Sequence, residues 1–117
     1  MQVKQALLAI ALSIVCAGAY AAPANQQLSQ QDKMWLEKAH QTNLAEIELG
    51  KMAESKGHSS AVREAGLTLR SDHEKLDSKL KQVAEELKVS LPDSPSMEEQ
   101  STAKMLSEKS GMQFDQA

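Results

Sequence analysis

Between residues 62 and 87 the apolar positions recur at alternating steps of four and three: Val62, Gly66, Leu69, His73, Leu76, Leu80, Val83 and Leu87. That spacing puts all eight on one face of an α-helix. Seven are apolar or small; the eighth is a histidine preceded by Asp72. A titratable pair inside a core seam is either a buried hydrogen-bonding node or a ligand, and the spacing leaves both open.

A second helical pattern precedes it, from near Ser29 to about Lys56. Asp32 follows Ser29 by three residues as an imperfect capping box, and Gly57 is placed to end the helix in the left-handed region. Its inward face reads Leu36, His40, Asn43, Ile47 and Gly50, flanked by Trp35, Ala39, Glu46 and Ala53. His58, Ser59 and Ser60 form a short turn, and either serine can cap the next helix. That helix is expected to continue to about Val89, with Leu91-Pro92 stopping it, because a residue before proline is pushed out of helical conformation. The two helices would be about 36 and 45 Å long. So short a turn folds them back on each other as an antiparallel hairpin.

Asp93, Ser94 and Pro95 break the pattern. Ser96-Met97-Glu98-Glu99 is a capping box that opens a short helix to about Lys109. Ser110 to Gln113 reads as a further cap, with Phe114 as the first anchor of another helix. The fold class expected is therefore all-α: an antiparallel hairpin plus a short helix, with the chain cut off inside the first turn of a further helix. Two helices that bury one face each make a thin core. A further helix, or a homo-oligomer formed through exposed helix faces, would complete it.

The first 21 residues change the picture of where the chain works. Lys4 is followed by an apolar run from Ala6 to Ala19, and Ala19-Tyr20-Ala21 has small residues where a signal peptidase reads. This is the pattern of a secretory signal cleaved after Ala21, and the run is short of the roughly 20 apolar residues a membrane span needs. Val15 before Cys16 does not suit a lipidation site. The expected organisation is a signal at 1–21, a flexible lead at 22–31 and a helical-bundle domain at 32–117. After cleavage no membrane span would remain, and the expected location is the periplasm or the outer-membrane surface.

Cys16 is the only cysteine, so the mature chain would have neither disulfide nor thiolate chemistry. Of 13 basic and 16 acidic residues, only Lys4 precedes the cleavage point, leaving 12 against 16 and a net charge of −4. An acidic surface argues against nucleic acid as a partner. His73-Glu74 lacks the second histidine of a zinc protease. No nucleophile elbow or phosphate loop is present, so no enzyme is expected.

Across the hairpin, His73 stands level with Asn43, with His40 and Glu46 each within a turn. Glu46 and Asp72 flank the seam on one side, so Glu46, Asp72 and His73 are the candidate metal ligands. Carboxylates with an imidazole suit iron, manganese or zinc. The competing expectation needs no cofactor: Asn43 or Asp72 satisfies His73, while Arg70 beside Glu46 and Lys75 and Lys79 near Asp72 form ordinary surface pairs. Asp77 shares a face with His73 and reads as a surface residue.

Leu44 to Ala53 (LAEIELGKMA), Ser60 to Glu64, Ser71-Asp72-His73, Leu87 to Pro92 and Gln113-Phe114-Asp115 occur in that order. Together they resemble the bacterial domain-of-unknown-function family 4142, often labelled "predicted outer membrane protein" and considered ferritin-like. The resemblance covers about Asp32 to the end. It implies an exported four-helix bundle with a long last helix carrying another histidine, and it places Glu46, Asp72 and His73 at the family's polar positions. Arg70 stands three before His73, where ferritin-like iron sites carry glutamate. The expected function is thus that of an exported, non-catalytic bundle involved in binding or stress protection. The alternative is a ferritin-like metal-binding protein.

Overall fold

The computed structural model describes residues 27–117; the expected leader and its cleavage point lie outside the described residues. Four helices follow in order: α1 (Gln30–Lys56), α2 (Ser60–Glu86), α3 (Met97–Ser107) and α4 (Gly111–Asp115). Among the described residues there is no strand, only an isolated bridge between Gly57 and Gly111. α1 and α2, 27 residues each, form the antiparallel hairpin that their patterns predict. Each is about 40 Å long.

The caps explain the boundaries. Ser29 accepts from the Asp32 amide at the start of α1, and Ser59 accepts from the Val62 amide at the start of α2. The first box stays imperfect because the Asp32 carboxylate takes the Ser29 hydroxyl, not its backbone N–H. At α3 the box is complete, with Glu99 accepting from both the Ser96 amide and hydroxyl. Ser110 holds the N-cap position of α4 but makes no side-chain cap.

Two expected helix ends differ. Gly57 has φ −59°, so it is not left-handed. A side chain there would meet Ala53 O at 2.6 Å and Val62 Cγ1 at 2.8 Å, so close packing at the turn is what requires glycine. α2 stops at Glu86, short of Val89, because Lys88 turns left-handed at φ 56° and the Val89 amide closes back onto Ala84 O at 2.8 Å. Pro92 therefore follows an end that is already made.

α1 is the central element. Its buried face toward α2 is Leu36, His40, Asn43 and Gly50, with Ile47 half-buried, as its spacing predicts. Trp35, expected at the seam's flank, is 67% exposed. α3 packs on α1 alongside buried Ala45, held by Thr42 Oγ1 donating to Glu99 at 3.0 Å and Lys56 Nζ donating to Ser107 O at 2.7 Å. α4 closes over the turn through buried Phe114.

The stripe on α2 meets α1 only in part. Its contact line is Gly66, Asp77 and Ala84, the buried residues of the helix. Steps of eleven and eighteen from Gly66 are close to whole turns of a straight helix. A seven-residue step falls short of two turns by about 20°, so a stripe repeating by sevens rotates about 60° over three repeats. Val62 and Leu69, near the turn, are accordingly half-buried. Leu76, Val83 and Leu87, farther out, are 51%, 43% and 44% exposed. The heptad seam starts against α1 and winds out of the hairpin.

Candidate functional site

Polar residues hold the middle of the hairpin. His40 Nδ1 donates to Asp77 Oδ1 at 2.6 Å across the two helices, and both residues are more than nine-tenths buried. Lys81, one turn on along α2, reaches the other carboxylate oxygen at 3.0 Å. One turn nearer the connection, His73 lies 3.0 Å from Asn43 through Nδ1 and Oδ1. An amide oxygen only accepts, so His73 must carry its proton on Nδ1. Both imidazoles are thus anchored through Nδ1, which leaves Nε2 as the remaining nitrogen of each ring. That is how an imidazole is oriented when its second nitrogen serves as a ligand or a base.

The helices can approach this closely because Gly50 and Gly66 face each other two turns nearer the connection than Asn43 and His73. A Cβ on Gly50 would lie 2.8 Å from Gly66 O, and one on Gly66 would lie 2.7 Å from Gly50 O. Backbone packs on backbone there. At the far side of the polar layer Leu36 and Ala84 are buried again. The short His40–Asp77 and Asn43–His73 bonds fit a seam narrowed by these small residues.

The structure gives the three candidate metal ligands different neighbours. His73 is engaged with Asn43. Asp72 is on the surface, 3.7 Å from Lys75. Glu46 is half-buried beside Lys38, Ala45 and Leu49 in a depression bordered by α3 residues Glu98, Glu99 and Thr102. Among the described residues no group of three or more histidine, cysteine or acidic side chains is placed to hold a metal ion. Arg70, expected beside Glu46, pairs with Glu54 at 3.0 Å and Glu74 at 3.6 Å. The residue missed is Asp77, read as a surface residue and in fact the most buried charge of the seam at 3% exposure. The signal was present: moving three residues back from Asn43 and four on from His73 brings His40 and Asp77 opposite each other.

Three carboxylates are held below their ordinary range. Burial pushes Asp77 up, but hydrogen bonds from Lys81 and His40 outweigh it. Burial likewise raises Glu99, and the Ser96 and Thr42 hydroxyls with the Ser96 amide bring it below normal. Asp115 is lowered first by the Ser59 amide and also by that of His58, at 2.9 and 2.8 Å. These amides stand at the start of α2, where free N–H groups and the helix dipole favour an anion. Asp115 thereby ties the last helix to the turn.

A depressed folded-state pKa means that unfolding takes up protons in acid. The stability is present above the ordinary values, 3.8 for aspartate and 4.5 for glutamate, and is lost as pH falls through the lower folded ones. The urea midpoint, followed by far-UV circular dichroism, should therefore fall as pH is lowered from about 5 to about 2. Asp77→Asn should flatten that slope. An unchanged slope in the variant would show that Asp77 is not among the groups responsible.

Residues 17–117 match the model of a family described as a domain of unknown function, DUF4142. The chain belongs to this family. No curated protein and no solved structure matches it. Membership of DUF4142 agrees with the resemblance carried by the LAEIELGKMA segment and the Asp72-His73 pair, and it assigns no activity. No helix among the described residues is long and apolar enough to cross a membrane.

Proposed function

We propose that this DUF4142 protein is exported to the cell envelope and acts there by binding, without catalysis. The observation that supports binding most directly is the open side of α2, where Leu76, Val83 and Leu87 are each more than two-fifths exposed. Apolar side chains in a continuous helical row stay in water at a cost, and such rows mark interaction surfaces. The polar seam beneath them orders the hairpin through His40–Asp77 and Asn43–His73. The pattern of residues 1–21 supports export.

Full-length chain expressed in a bacterium should be recovered in the envelope fraction with Ala22 as its N-terminal residue. Cytoplasmic chain that still begins at Met1 would overturn export. At low concentration an apolar dye should bind the hairpin, and Leu76→Lys with Val83→Lys should reduce that binding severalfold while helicity is kept. Unchanged dye binding would remove α2 as the binding face. The alternative, a ferritin-like metal protein using Glu46, Asp72 and His73, draws on the remaining Nε2 of His73. Stoichiometric iron, manganese or zinc, lost in His73→Ala, would establish it over the non-metal reading.

A further inference from the structure

We propose that the open side of α2 is covered by a second copy of the same chain, the two α2 helices pairing antiparallel about a two-fold axis at Leu76. This rests on reading that side as a binding face. Leu69, Leu76 and Val83 succeed one another at seven-residue intervals, with Leu69 half-buried and the other two 51% and 43% exposed. Leu69 and Val83 are equally far from Leu76, about 10 Å along the axis on either side. A two-fold at Leu76 sets Leu76 against its own equivalent and Leu69 against Val83 of the second copy, and it does so twice.

The charges argue for this occupant and for this direction. Asp72 lies four residues before Leu76 and Lys79 three after it, on the outer border of the row. Antiparallel pairing about Leu76 brings Asp72 of each copy level with Lys79 of the other, within one residue. Parallel pairing would set this border against the opposite border of the partner's row, so Asp72 and Lys79 would not meet their counterparts at all. Asp72 is free to exchange partners: its contact with Lys75 is 3.7 Å long and both side chains are more than half exposed. The edge is therefore complementary to itself in one direction only, which is the requirement of an isologous two-fold interface.

The test uses the full chain. Light scattering with sedimentation, from micromolar to millimolar concentration, should show the mass doubling. Leu76→Lys, which sets two ammonium groups on the axis, should keep it single throughout with helicity unchanged. Asp72→Lys and Lys79→Asp should each weaken association roughly tenfold. The double variant should restore it, and so should mixing the two single variants, because both operations restore opposite charges across the axis.

Register is read by cross-linking in a Cys16→Ser background. Leu76→Cys should form an inter-chain disulfide on oxidation. Leu67→Cys should not, since nine residues, or two and a half turns, put Leu67 on the opposite side of the helix. A chain that stays single at millimolar concentration, equal cross-linking at both positions, or no rescue by the charge swap would each overturn the proposal. If the mass stays single while the dye still reports the Leu76 face, the second copy is wrong and the binding reading stands. If the dye also fails to bind, both fall.

Discussion

Asp77→Ala should destabilise the protein by about 2–4 kcal/mol. Asp77 is 3% exposed and accepts from His40 Nδ1 at 2.6 Å and Lys81 Nζ at 3.0 Å. Removing it leaves the Nδ1–H of His40 without a partner where water has little access. An unmade buried hydrogen bond costs the full desolvation of the group, whereas the bond itself contributes less when present. Lys81 suffers less, because its side chain is more than half exposed. For a domain of this size the loss corresponds to a fall in melting temperature of about 10–25 °C. Urea unfolding followed at 222 nm measures it, and Asp72→Ala is the control. Asp72 touches only Lys75 at the surface, so its truncation should stay within about 0.5 kcal/mol. Equal effects of the two variants would mean that Asp77 is not the buried node of the hairpin.

The second large effect is at Gly66. In an exposed helix, alanine for glycine stabilises by about 1 kcal/mol through backbone entropy. Here the added methyl would sit 2.6 Å from Glu54 N and 2.7 Å from both Ala53 Cβ and Gly50 O. These are backbone atoms and a side chain's first carbon, none able to swing aside, so the helices themselves must separate. Overpacking of this kind costs about 1–3 kcal/mol, and Gly66→Ala should be destabilising on balance. Gly50→Ala should behave alike, since its methyl would meet Arg70 N at 2.7 Å. The double variant should cost clearly less than the two losses added together, because one separation relieves both clashes. Hydrogen exchange should show the strain spreading toward Asn43–His73, whose 3.0 Å bond lies two turns away. A stabilised Gly66→Ala would mean that the two backbones do not meet there.

Helix positions follow from spacing and caps alone: Ser29, Ser59 and Ser96 all cap as their neighbours predict. The hairpin follows from a turn too short for anything else. Once the hairpin is granted, counting from the turn pairs Asn43 with His73, and the structure has that bond. Gly50 and Gly66 were legible as seam residues for the same reason.

The site was less legible because rotation about a helix axis accumulates along it. A pattern of sevens marks a row, but the row turns by about 20° at each repeat relative to a straight neighbour. Near the connection that error is small, so Gly66 and His73 are placed well. By Asp77 and Val83 it is large enough to exchange their environments: the aspartate is inside and the valine 43% outside. Glu46 and Asp72 stand in different neighbourhoods, the first beside Lys38 and Leu49 and the second against Lys75. Gly57 was a different matter, since glycine suits both a left-handed end and a tight contact, and only the packing of Ala53 and Val62 distinguishes them.

By itself the sequence determined what is local: where helices start, that they double back, and that their facing surfaces carry small and polar residues at matched distances from the turn. Those properties depend on a few neighbouring residues and on a helical period that hardly varies. Tertiary structure alone decided which side of α2 meets α1, and with it that His40 and Asp77 are the buried pair and that Leu76, Val83 and Leu87 are left open. The physical reason is the mismatch between seven residues and two helical turns. A small angle per repeat, summed over the length of α2, turns an apolar row from a core into a surface.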